Sequence, residues 1–147
     1  MTGVHSLLMV GAARLLDQVG AGVYRPDGDP YQTGEVAIVL GLLPAEPAEA
    51  VGLISYAVED DPAQPTGVIG LQVRVRAPGT DPRSVHETAD IIFDALQGAY
   101  RLTLPGGLVV GYCWREVSAP LGADESGRYQ LTDSYYCQIE QTTTHRP

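Results

Sequence analysis

The feature that most constrains the fold is an alternation of apolar and polar side chains at residues 68–76. Val73 and Val75 fall on one side of this segment, whereas Arg74 and Arg76 fall on the other. Because successive side chains of a strand point to opposite faces of a sheet, the pattern predicts a strand with one buried and one polar face. Such a strand is typical of a sheet that has its core on one side only.

Two helices and four more strands are predicted from periodicity and turn residues. The helices cover residues 5–19 and 82–97, and the apolar stripe of the second consists of Val85, Ala89, Ile92 and Leu96. The remaining strands cover residues 36–43, 50–58, 108–116 and 129–141. The order α-β-β-β-α-β-β predicts a two-layer α+β domain, with both helices on one face of a mostly antiparallel five-stranded sheet.

Length and charge limit the classes of protein. A chain of 147 residues is expected to form one domain, residues 1–147, with a flexible C-terminal tail at residues 142–147. The net charge is −9, which argues against a protein that binds the nucleic acid backbone through a basic face. No apolar run approaches the roughly 20 residues that a membrane-spanning helix needs, so we expect no membrane partner.

The two cysteines, Cys113 and Cys137, lie on two of the predicted strands. Two cysteines do not make a disulfide framework. Free cysteine is among the most buried residue types and behaves as a small apolar side chain. We therefore expect both thiols to be reduced core residues that do not react while the protein is folded.

The segment His86-Glu87-Thr88-Ala89-Asp90 is similar to the helical zinc motif H-E-x-x-H, but Asp90 occupies the position of the second histidine. Zinc requires three or four ligands, and the sequence offers no third one. His86 and Asp90 can instead pair as neighbours on one helix face. The chain also lacks a serine nucleophile elbow and a phosphate-binding loop. The sequence therefore predicts no catalytic, cofactor-binding or metal-binding residue, and no enzyme.

Four charged residues are candidates for a subunit interface: Arg74, Arg76, Asp124 and Arg128. All nine basic residues of the chain are arginines, whose planar guanidinium groups pair with carboxylates through two hydrogen bonds. We expect these arginines to include residues that pair with carboxylates of an adjacent subunit. Two alternatives remain open, because Arg74 and Arg76 also fit a solvated sheet face, and Arg128 can close its own loop by pairing with Asp124.

Five blocks of sequence, spread over nearly the whole chain, carry a family resemblance. They are Gly20-Ala21-Gly22-Val23-Tyr24, Leu42-Leu43-Pro44, Leu71-Gln72-Val73-Arg74-Val75-Arg76, Ile92-Phe93-Asp94-Ala95-Leu96, and Pro120-Leu121-Gly122-Ala123-Asp124 with Gly127-Arg128-Tyr129. In order and spacing they resemble the phage minor capsid family that includes the tail terminator, or tail-completion, proteins of long-tailed phages.

The resemblance implies a structural virion protein without catalytic residues or a cofactor. Such a subunit forms a closed ring of its own copies, a hexamer, at the head-proximal end of the tail tube. The ring stops polymerisation of the tail tube protein and joins the tail to the head–tail connector or stopper protein. DNA passes through the ring without specific binding, and the virion is assembled in the host cytoplasm.

Two functions from other classes are compatible with the residues. The first is a small α+β ligand-binding or regulatory module, which would be monomeric or dimeric. The second is a small hydrolase or isomerase that uses His86 together with Asp90 or Glu87. This enzyme would need a concave pocket around the second helix.

Overall fold

The structure is a computed structural model that describes residues 3–146. Its helices are α1 (Val4–Gln18) and α2 (Ser84–Leu96), and its strands are β1 (Val23–Tyr24), β2 (Ala37–Leu40), β3 (Ala50–Glu59), β4 (Thr66–Ala77), β5 (Tyr100–Thr103), β6 (Val109–Ala123) and β7 (Tyr129–Glu140). The strands form one sheet in the order β1-β2-β3-β4-β7-β6-β5. The pairs β1–β2 and β2–β3 are parallel, and the other neighbours are antiparallel.

The predicted five-stranded, mostly antiparallel sheet is wrong. Residues 3–146 form a mixed sheet of seven strands that curls into half a barrel. The additional strands, β1 and β5, have only two and four residues, and each follows the glycine that ends a helix. Strands this short carry too few side chains for a period of two to be recognised.

Both helices pack on the same face of the sheet. The predicted stripe of α2 is confirmed, because Val85, Ala89, Ile92 and Leu96 are each at most 4% exposed. Helix α1 lies beside it over β1–β4 and buries Leu8 and Leu16 in the same core. The inward side chains of β4 lie between the helices and the sheet, so the alternating strand is the centre of the core.

No helix covers the opposite face of the sheet in the part of the chain that the structure describes. We call this surface the helix-free face. It carries the outward side chains of the five strands from β3 to β5, among them Ile54, Tyr56, Gln72, Arg74, Arg76, Tyr100, Tyr112, Trp114, Val117, Gln130, Thr132, Ser134, Tyr136 and Gln138. Sheets that keep one face open occur in soluble antiparallel structures, but there the open face is usually polar.

Strand β6 is fifteen residues long, and a neighbouring strand covers its outer edge only near its start. Strand β5 pairs with β6 as far as Tyr112, and the N–H of Arg115 then donates to the side chain of Gln97 at 2.7 Å. Beyond this point the pairing of β6 with β7 is interrupted by two bulges, one after Arg115 and one after Pro120. The outer edge of this half of β6 is therefore short, irregular and interrupted by proline.

The C-terminal segment after β7 returns to the loop between β3 and β4. The side chain of Arg146 forms an ion pair with Asp60 and donates to the carbonyl oxygen of Asp61 at 2.9 Å. Within residues 142–146 the side chain of Arg146 is buried and the others are exposed. That the chain forms a single domain with a flexible tail at residues 142–147 stays a prediction. Pro147 lies outside the described residues.

Candidate assembly interface

Arg76 is buried under the segment that joins β2 to β3. Only 3% of the residue is exposed. Its guanidinium group donates hydrogen bonds of 2.6–2.9 Å to the carbonyl oxygens of Pro44, Pro47 and Ala48. Burial, and then the positive charge of Arg128, lowers the pKa of Arg76. In the isolated chain the side chain therefore holds a loop against the helix-free face.

Arg128 and Asp124 close the turn between β6 and β7. Arg128 Nε donates to Asp124 Oδ2 at 2.9 Å, and Arg128 Nη1 donates to the carbonyl oxygen of Ala45 at 2.8 Å. Asp124 Oδ1 also accepts the backbone N–H groups of Ser126 and Arg128, each at 2.9 Å. The bond from the Arg128 backbone is the main reason that the pKa of Asp124 lies below its usual range.

Arg74 differs from its three companions because its side chain is exposed. It forms no ion pair with any residue between 3 and 146. On the sheet it lies between Gly52 of β3 and Thr132 of β7. Thus Arg76, Asp124 and Arg128 form a cluster around the β2–β3 loop, and Arg74 lies beside that cluster, free to bind a carboxylate.

A row of aromatic side chains crosses the helix-free face and is not predicted by the sequence. Its members, in the order in which they cross the sheet, are Tyr56, Tyr136, Trp114, Tyr112 and Tyr100. The centroids of the Tyr112 and Trp114 rings lie 5.6 Å apart in a stacked arrangement, and those of Trp114 and Tyr136 lie 5.9 Å apart in a T-shaped one. Tyr112 is 41% exposed and Tyr100 is 70% exposed. We call this feature the aromatic row.

Gly70 makes room for the first ring of the aromatic row. A Cβ atom at this position would lie 2.3 Å from Cζ of Tyr56, so any other residue would displace the ring. Gly70 pairs with Tyr56 on one side and with Tyr136 on the other. The glycine therefore lets Tyr56 lie flat across β4 towards Tyr136. Ile54 and Val117, 42% and 52% exposed, widen the apolar surface beside the row.

The residues of the hypothetical hydrolase are not brought together as a site. His86, Glu87 and Asp90 are all exposed on α2. Residues 3–146 contain no group of three or more side chains that could hold a metal ion. No helix in this range is long and apolar enough to cross a membrane. A groove of about 1210 Å³ lies instead among the loops at residues 24–35 and 46–49 and includes no residue of α2.

One side of that groove is held by a bidentate ion pair between two of its lining residues. Arg25 donates to both carboxylate oxygens of Glu35, at 2.7 and 2.8 Å. This hydrogen bonding lowers the pKa of Glu35. The Arg25 guanidinium also lies 5.0 Å from the centre of the Tyr31 ring. These contacts tie the two ends of the long loop between β1 and β2 to each other and to Tyr31.

The two cysteines are direct neighbours across β6 and β7. Their Sγ atoms lie 3.7 Å apart, and both residues are buried as free thiols. The contact with Cys113, and then burial, raises the pKa of Cys137. A thiol with a raised pKa holds little of the thiolate that reacts with electrophiles.

We expect neither cysteine to react with a thiol reagent while the protein is folded. Both should react fully after unfolding in denaturant, because burial in the folded core is what protects them. Mass spectrometry after a short exposure to iodoacetamide, with and without denaturant, measures this difference. Rapid alkylation of the native protein would show that the strands open here.

Comparison with known proteins adds a family and a fold. The family model described as "Bacteriophage tail terminator protein" matches residues 15–141. No curated protein sequence matches the chain. A solved structure described as "Virion of native gene transfer agent (GTA) particle" contains a similar chain, with a TM-score of 0.54 and 17% identity, over 70% of this chain and 78% of that one. At this identity the structural likeness shows the fold alone. Because the family model covers most of the sequence, the chain belongs to the bacteriophage tail terminator protein family.

Proposed function

We propose that this protein closes into a ring of its own copies, a hexamer, at the head-proximal end of the tail tube. Membership of the tail terminator family makes it a structural protein of the virion. In this proposal the ring stops polymerisation of the tail tube protein and joins the tail to the head–tail connector or stopper protein. It performs no catalysis, and assembly takes place in the host cytoplasm.

The observation that carries the proposal is the apolar helix-free face. Five aromatic side chains, Ile54 and Val117 lie on one side of a sheet whose other side is filled by helices, and the rings of Tyr112, Trp114 and Tyr136 contact each other. Contiguous exposed apolar surface of this kind marks interaction sites in soluble proteins. When one such patch meets a different patch of an identical copy, the contact repeats and closes into a ring if the rotation allows.

The net charge of −9 is consistent with a channel through which DNA passes without binding. Binding to the phosphate backbone needs clustered lysines and arginines that release counterions. Here Arg25, Arg83, Arg115, Arg128 and Arg146 are already paired with carboxylates of their own chain. A ring of acidic subunits would therefore repel DNA rather than retain it.

We also propose roles for the four interface candidates. Arg74, exposed and without a carboxylate partner between residues 3 and 146, pairs with a carboxylate of the adjacent subunit. Arg76, Asp124 and Arg128 act indirectly, because their hydrogen bonds fix the β2–β3 loop that borders Arg74. Charge pairs across an interface select the partner and its register.

Sizing the protein by light scattering, alone and with its tail tube protein, tests the ring. For Arg74→Glu we expect the ring to need a concentration on the order of tenfold higher, or more, because a charge pair becomes a repulsion. Arg14→Glu is the matched control, since Arg14 is exposed on α1, on the opposite side of the sheet. A wild-type protein that never forms a ring, even with the tube protein, contradicts the proposed function.

A further inference from the structure

We infer that helix α2 of one subunit docks on the helix-free face of the next subunit. The inference rests on the proposed ring and names the two surfaces that meet at its repeated contact. Antiparallel sheets usually leave a polar face to solvent, whereas the helix-free face carries aromatic rings that a further layer of helices would cover. The isolated chain covers only one face, so the second layer of helices would come from the neighbouring copy.

The receiving surface combines an apolar row with an unpaired cation. The aromatic row crosses five neighbouring strands, from β3 to β5. Arg74 lies on the same face, four residues along β4 from Gly70. The one row between them holds Ile54, Gln72, Ser134 and Val117. An occupant of this surface therefore needs apolar contacts and a carboxylate within reach of Arg74.

The outward side of α2 has this chemistry. Glu87, Asp90, Ile91 and Asp94 recur at the spacing of one helix face, and all four are exposed. None of the three carboxylates forms an ion pair within residues 3–146. Ile91, 40% exposed, provides an apolar centre between them. The stripe thus presents three unpaired carboxylates and an aliphatic side chain to a surface with aromatic rings and two arginines that form no ion pair within residues 3–146. These are Arg74 and Arg101, and the Arg101 guanidinium lies 5.3 Å from the centre of the Tyr100 ring.

The positions of the two surfaces favour a contact between different patches. α2 packs its inner stripe on its own sheet, so its outer stripe points away from the helix-free face of the same subunit. The donor and the receiver therefore lie on opposite sides of one subunit, and each copy can bind two neighbours at once. Such a contact repeats from copy to copy, which is the requirement for a closed ring.

An exchange of charges tests the inference. Arg74→Glu is combined in turn with Glu87→Arg, Asp90→Arg and Asp94→Arg, and each double variant keeps the net charge of the wild type. At least one pair should form the ring within about threefold of the wild-type concentration, whereas Arg74→Glu alone needs on the order of tenfold more protein. Arg74→Glu with Glu125→Arg is the control, because Glu125 lies in the exposed β6–β7 turn.

Rings of the wild type without rescue by any α2 variant would overturn the inference and leave the proposed ring intact. Equal rescue by Glu125→Arg would also overturn it, since net charge alone would then explain the result. A wild type that forms no ring would overturn both.

Hydroxyl-radical footprinting gives a readout that needs no substitution. Oxidation of Tyr112, Trp114 and Ile91 should fall severalfold in the ring relative to the monomer, whereas oxidation of Tyr31, in the groove between loops, should not change. Unchanged oxidation of Trp114 and Ile91 in the ring contradicts the docking.

Discussion

Replacing Arg76 by methionine should destabilise the monomer by about 3 kcal/mol or more, since each of its three hydrogen bonds joins a charged donor to a part-buried carbonyl, and a hydrogen bond to a charged group contributes roughly 1.5–3 kcal/mol. Three carbonyl oxygens, those of Pro44, Pro47 and Ala48, accept hydrogen bonds from this one guanidinium group. Methionine keeps much of the side-chain length but donates no hydrogen bond. The β2–β3 loop should then leave the helix-free face.

Urea unfolding followed by tryptophan fluorescence measures the loss for Arg76, because Trp114 lies on the same sheet face. Arg74→Met is the matched control and should change the free energy of unfolding by no more than about 0.5 kcal/mol, as is usual for exposed positions. An equal loss in the free energy of unfolding for Arg76→Met and Arg74→Met would show that the hydrogen bonds of Arg76 to the β2–β3 loop do not stabilise the monomer.

Leu96→Ala should lower the free energy of unfolding by about 2–5 kcal/mol, the range for truncating a leucine in a packed core. Leu96 is 3% exposed at the last turn of α2 and belongs to the core shared with the sheet. The surroundings are held by the sheet and cannot collapse fully into the space that the side chain leaves.

Ile91→Ala in the same helix is the control for Leu96→Ala, and thermal or urea unfolding measures both. Ile91 is 40% exposed, so the free energy of unfolding of the monomer should fall far less. A small loss for Leu96→Ala would be incompatible with the packing of α2 on the sheet.

The sequence predicts the helices and strands that bury a regular stripe of apolar side chains. It does not predict very short strands, or strands whose pairing depends on partners far away in the chain. Helix α2 and strand β4 each carry enough periodic apolar residues to define a face. Strands β1 and β5 do not, and the apolar run of β2 does not reveal whether its neighbours are parallel. Strand β6 continues past Glu116 through Ser118 and Pro120, residues that are typical of loops, because β7 pairs with it along this length.

The candidate interface shows the same division. Alternation places Arg74 and Arg76 on one face, and it cannot show that a loop about thirty residues earlier in the chain buries only the second. Arg128 and Asp124 are only four residues apart in the turn between β6 and β7, so the sequence alone offers their pairing as one alternative. The aromatic row is invisible in sequence because its members come from four strands whose register is set by the whole fold.

The interrupted outer edge of β6 affects how well the free subunit resists aggregation before it joins a tail. A long, regular strand edge would recruit other copies into open-ended, insoluble sheets at high concentration. Pro120 has no N–H that could donate to a strand of another copy. The bulges on either side of Pro120 also break the register that an added strand would need. This half of β6 therefore gives other copies no regular template for strand addition, so it does not start the open-ended sheets that would remove subunits from tail assembly.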